Sequence, residues 1–91
     1  MTILIPDSGV ADLLQVYSVR EFLLRRHPAL QVSVASTHPQ LTIETDEGPV
    51  VLELTGGQWL ITAPGQTRVR IEPDASSCAL AALEYVADHL P

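Results

Sequence analysis

The chain has 91 residues, 46% of them hydrophobic and 18% charged, with 11 acidic and five basic side chains for a net charge of −6. This composition excludes a disordered chain, which would be poor in apolar residues and rich in charge, and the length sets one domain around one core. The acidic balance argues against nucleic acid and anionic membrane as partners, since both would be repelled on average, and it admits a basic protein partner.

The one cysteine, Cys78, excludes an internal disulfide and any Cys₂ or Cys₄ zinc site. No apolar stretch approaches the roughly 18 residues of a membrane-spanning helix. The opening Met1-Thr2-Ile3-Leu4-Ile5-Pro6 lacks the basic region of a signal peptide, so a cytoplasmic protein is expected. There is no lysine; the basic residues are Arg20, Arg25, Arg26, Arg68 and Arg70.

Residues 7–27 read as a helix, with Asp7 or Ser8 as N-cap and Ile5 placed to staple onto the first turn. Val10, Leu13, Leu14, Tyr17 and Leu24 recur at helical spacing as its inner stripe, widened by Val16 and Leu23. Arg25, Arg26 and His27 suit the negative end of the helix dipole, and Pro28 stops the helix. The period then changes to two. Residues 31–35, 41–45, 50–54, 59–62 and 67–72 alternate polar with apolar and read as half-buried strands. Between them lie turn residues, with Gly56-Gly57 a two-residue hairpin signal and Pro64-Gly65 a fit to a type II turn. Connections this short make antiparallel neighbours. Residues 75–90 read as a second helix capped by Asp74, with Ala75, Cys78, Ala79, Ala82, Val86 and Leu90 facing inward and Leu83 at the margin.

The pattern predicts an α+β two-layer sandwich: an antiparallel β-meander of about five strands with the N- and C-terminal helices packed on one face, in the order α-β5-α. The covered face is expected to carry Val32, Val34, Leu41, Ile43, Val50, Leu52, Leu54, Trp59, Ile61, Val69 and Ile71. The bare face is expected to carry Ser33, Thr42, Glu44, Val51, Glu53, Leu60, Arg68, Arg70 and Glu72. Such a face is ordinarily solvated and laced with weak Arg–Glu pairs. It also fits a docking surface, since arginine is enriched at interfaces where lysine is depleted. The strand at 31–36 has no charge to guard it as an edge, so either residues 2–5 pair with it or it joins two copies in a homodimer.

Other candidate chemistry is thin. A zinc site from histidine needs His27, His38 and His89 to converge, yet a whole strand separates the first two. Asp46-Glu47 sits in a hairpin turn and Asp74 at a helix cap, neither with a neighbouring histidine to make an acid/base pair. Cys78 falls on an apolar stripe, the place of a buried structural thiol. Arg20 falls inside the first helix's apolar stripe and either snorkels to water or meets a carboxylate at the sheet rim. Trp59 is the core's large aromatic, unless Leu60 turns inward and Trp59 becomes an interface anchor.

The order helix, meander, helix, with Gln58-Trp59-Leu60 on the fourth strand and Pro64-Gly65 after it, resembles the frataxin arrangement. That resemblance implies an acidic ridge on the first helix and strand for iron and iron–sulfur assembly partners. Here the first helix has only Asp7, Asp12 and Glu21 among three arginines, and the strand from 31 has no acid. Fold alone does not carry function across. The reading favoured by the sequence is a non-enzymatic interaction module, an adaptor, inhibitor or immunity-type protein or small subunit, with no cofactor and no metal. Its candidate contact residues are Arg20, Glu44, Val51, Glu53, Trp59, Leu60, Arg68, Arg70 and Glu72. The alternatives are a frataxin-like metal carrier and a small-molecule-binding domain.

Overall fold

The computed structural model describes residues 7–35 and 37–88. Helix α1 (Asp7–Arg26) leads into strands β1 (Gln31–Val34), β2 (Gln40–Thr45), β3 (Gly48–Thr55), β4 (Gln58–Thr62) and β5 (Arg70–Glu72), and helix α2 (Ala75–Asp88) closes the order. The strands form one antiparallel sheet in the order β1-β2-β3-β4-β5. This is the α+β meander that the alternating pattern predicts. The staple by Ile5, the side chain of Val10, pairing by residues 2–5, and the positions of His89 and Leu90 lie outside the described residues.

The turns follow their chemistry. Gly56 and Gly57 join β3 to β4 with φ of 58° and 79°, the double positive φ that only glycine adopts without cost and that matches the twist of a hairpin. Gln66 N–H donates to the Ala63 carbonyl at 3.2 Å across Pro64-Gly65, closing the expected turn. At the head of α2, the Ser77 N–H donates to Asp74 Oδ1 at 2.8 Å, which satisfies an otherwise orphaned donor. That bond, with a second from the Ser77 hydroxyl, holds the Asp74 carboxyl below its ordinary range.

Both helices cover the same face. α1 contacts β1 and β2, α2 contacts β3, β4 and β5, and the helices touch each other. The core between the layers holds Leu41, Ile43, Val50, Leu52, Trp59 and Ile61 from the sheet, Val16, Val19 and Leu23 from α1, and Cys78, Ala79, Ala82 and Val86 from α2. The small residues of α2 let it sit close to the large indole of Trp59.

Two expectations are corrected. The inner stripe of α1 is Val16, Val19 and Leu23, while Leu13, Leu14 and Tyr17 are exposed. The apolar set of this helix spans more than one face, and α2 takes up the flank that carries Ser18 and Phe22. That leaves the flank with Leu13 and Tyr17 on the far side, away from α2.

The second correction concerns β5. Its strand is three residues long, and its register pairs Trp59 with Glu72, Leu60 with Ile71 and Ile61 with Arg70. Directly paired residues share a face, and a shift of one residue moves a whole strand's side chains to the other face. Arg70 and Glu72 therefore point to the helix side, and Ile71 points to the bare side. Val69 is likewise exposed and not in the core. The physical reason is the edge position. There the covered face opens toward the rim of α2, so Arg70 lays its stem inward and keeps its charge where Glu84 meets it.

Candidate interaction surface

The register assembles the bare face strand by strand. Gln40, Glu53, Leu60 and Ile71 lie in one row across β2 to β5. Ser33, Thr42, Val51 and Thr62 lie in the next row, across β1 to β4. Glu44 follows beside Gln31 and Pro49. Val51 and Leu60 are half-buried and Ile71 is exposed. Cross-strand neighbours on one face approach within roughly 4.5–5.5 Å, and diagonal ones within about 7–8 Å. Leu60 and Ile71, with Val51 on the diagonal, thus form a contiguous apolar patch that runs to the β5 edge.

The charge of this face differs from the expected mixture. Among its strand residues Glu44 and Glu53 are the only charged ones, and neither makes an ion pair with a described residue. Arg70 is on the other side, where its Nε donates to Glu72 Oε2 at 2.8 Å and its Nη1 to Glu84 Oε2 at 3.3 Å. These bonds, the Glu72 one foremost, hold its guanidinium even more firmly protonated than usual. Arg68 is exposed in the segment before β5.

Of the nine residues expected to make contacts, Glu44, Val51, Glu53 and Leu60 share the open face. Arg70 and Glu72 sit at the helix-side rim. Trp59 is fully buried and has no exposed surface to offer. Its Nε1 finds no acceptor among the described residues. Arg20 is half-buried on α1 and pairs with no described carboxylate. Sequence reasoning missed Ile71 and the exposed Leu13, Leu14 and Tyr17. Alternation in Arg70-Ile71-Glu72 is equally good in either register, and only the pairing to β4 decides it.

A cleft of about 470 Å³ opens at the C-terminal end of α1. Its lining comes from Arg26 to Gln31 at the end of α1 and the start of β1, and from Glu44, Thr45 and Asp46 at the end of β2. Arg26 is steadied by its guanidinium carbon 3.8 Å from the centroid of the Phe22 ring. Cys78 is buried and its thiol is pushed up to about 12, first by burial and then by the charge of Glu72, so it is no nucleophile at neutral pH. Among the described residues, no group of three or more His, Cys, Asp or Glu side chains is placed to hold a metal ion. No helix among them is long and apolar enough to cross a membrane.

No family model matches the chain, and no curated protein and no solved structure matches it.

Proposed function

We propose that the chain is a non-enzymatic protein-interaction module whose open sheet face receives a partner presenting apolar side chains flanked by basic ones. The observation that carries this reading is the β4–β5 register, which puts Ile71 beside Leu60 on the bare face and takes Arg70 away from it. The result is an apolar patch of Val51, Leu60 and Ile71 that runs to the β5 edge beside Glu53, with Glu44 further along β2 and no basic residue among the strand residues of that face. A contiguous apolar patch with charge beside it suits a binding surface. Its neighbouring carboxylates favour a basic partner and speed its approach.

A photo-crosslinking amino acid at position 71, on the open face, and at position 80, on the exposed side of α2, tests this in cells that express the chain. The expected outcome is a discrete adduct with another protein from position 71 and none from position 80. No adduct from 71, or equal adducts from both, refutes the reading.

The cleft at the end of α1 favours a second reading, a small-molecule-binding domain. Its volume lies in the roughly 300–1,000 Å³ range of ligand sites, and a lining that includes Arg26, Glu44 and Asp46 offers both signs of charge to a small zwitterion. Amide chemical shifts followed during titration with free amino acids decide it: specific, saturable shifts at Leu30, Gln31 and Thr45 support it, and none at millimolar ligand removes it.

A further inference from the structure

We infer that the outer edge of β1 is a homodimerisation edge, where a second copy adds its own β1 antiparallel and extends the sheet beneath both α1 helices. This does not depend on the open sheet face and uses a different surface.

The backbone defines the edge. The Ala35 N–H donates to the Gln40 carbonyl at 2.9 Å, and Gln31 pairs with Glu44, Val32 with Ile43 and Val34 with Leu41. Hydrogen-bonded and non-hydrogen-bonded pairs alternate along an antiparallel ladder. Ser33 and Gln31 therefore bond toward β2, and the N–H and C=O of Val32 and Val34 point outward. No described strand takes them. A neighbour is thus offered four backbone groups on two residues.

A second copy satisfies all four. With the two-fold axis at Ser33, Val32 meets Val34 of the other copy and Val34 meets its Val32, in two hydrogen-bonded pairs. Ser33 faces Ser33, and Gln31 faces Ala35. The same patch serves on both sides, which is the requirement for an isologous contact. Every pair is uncharged, in a chain whose net charge is −6. Like-charged copies repel on average, yet they meet no charge along this strand. An edge built for a different, basic partner would carry a carboxylate; this one carries none. Nor does it carry the lysine, proline or bulge by which edges are commonly guarded.

The layer above the edge is open too. Val32 and Val34 lie on the covered face yet are only half-buried. The flank of α1 turned away from α2 presents Leu13 and Tyr17, both exposed, with Leu24 and the stem of Arg20 half-buried beside them. α1 returns over β1 and β2 from a four-residue connection, so this flank lies on the free-edge side of the helix layer. An added strand would place its own two valines beside that flank and cover its apolar side chains. The copy's helix flank would close from the other side.

Sedimentation velocity over micromolar to millimolar concentration tests the inference on the whole chain. The expected result is reversible conversion from one to two masses of 9.9 kDa. Val32→Pro removes one outward N–H while sparing the bonds to β2, since proline is tolerated where the N–H faces away from the ladder. It is expected to weaken the dimer at least tenfold. The double variant Leu13→Glu/Tyr17→Glu alters only exposed helix positions, so it is expected to fold even if Val32→Pro does not, and to weaken the dimer by a similar factor. A wild-type chain that stays monomeric at 1 mM overturns the inference and leaves the edge to residues 2–5 or to a strand of another protein. A dimer that survives both variants overturns it as well, because its interface lies elsewhere.

Discussion

Replacing Ile61 and Ile71 one at a time by alanine makes the same chemical change on neighbouring strands, on opposite faces of the sheet. Ile61 is 1% exposed and Ile71 57% exposed. Truncating a fully buried isoleucine removes its transfer free energy and leaves a cavity between Leu52, Trp59 and the helices, about 2–5 kcal/mol in all. Truncating Ile71 leaves no cavity. Full burial of such a side chain is worth roughly 1.5–3 kcal/mol, and less than half of it is out of water, so the loss is at most about 1.3 kcal/mol. A domain of this size has only ~5–14 kcal/mol of stability to lose. A gap of about 2 kcal/mol between the variants separates their melting temperatures by ~8–16 °C. Trp59 is the only tryptophan and is fully buried, so its fluorescence during urea or thermal unfolding reports the transition directly. Equal losses, or a larger loss for Ile71→Ala, would refute the register of β5 and with it the apolar patch of the open face.

Other outcomes follow from the same structure. Cys78 is expected to resist an aromatic disulfide reagent at pH 8 in the folded chain and to react stoichiometrically in urea. The folded thiol is raised to about 12 from an ordinary value of 9.0. Its contribution to stability is therefore whole below pH 9.0 and declines as pH rises toward the folded value. A Cys78→Ala chain lacks that part of the decline in pH-dependent denaturation curves. Arg70→Met is expected to cost no more than ~1 kcal/mol, because its partners leave it substantially exposed, and the cost measured by urea titration shrinks as salt is raised. Gly57→Val forces a β-branched residue to φ of 79° and is expected to cost about 1–3 kcal/mol in the same assay, whereas Gly56→Asn at φ 58° is tolerated within ~1 kcal/mol.

The element order was legible because helix, turn and strand signals agree along the chain: Pro28 where a helix ends, Gly56-Gly57 between two alternating runs, Asp74 at the head of a second helix. The sequence leaves the direction of Trp59 open, because Trp59-Leu60-Ile61 offers an apolar residue to either face, and the pairing of Trp59 with Leu54 settles it in the core. The legible part of the site was the four residues of β2, β3 and β4, where strands are long enough for the pattern to fix the register. β5 was not legible. Three residues carry too little alternation, and the ion pairs of Arg70 with Glu72 and with Glu84, 14 residues on, are tertiary facts. The inner face of α1 was not legible either. Leu13, Leu14 and Tyr17 have the spacing of a core stripe, and only the position of α2 shows which flank is covered.

The proposed recognition of another protein by the open face rests on Leu60 and Ile71. The most direct measurement is isotope-coded affinity capture from expressing cells, comparing the wild-type chain with a Leu60→Glu/Ile71→Glu variant that reaches the same folded state by Trp59 fluorescence. At least one protein is expected to be retained tenfold or more by the wild type over the variant, with the difference lost at high salt. Equal capture by both chains, or capture of nothing by either, would contradict it.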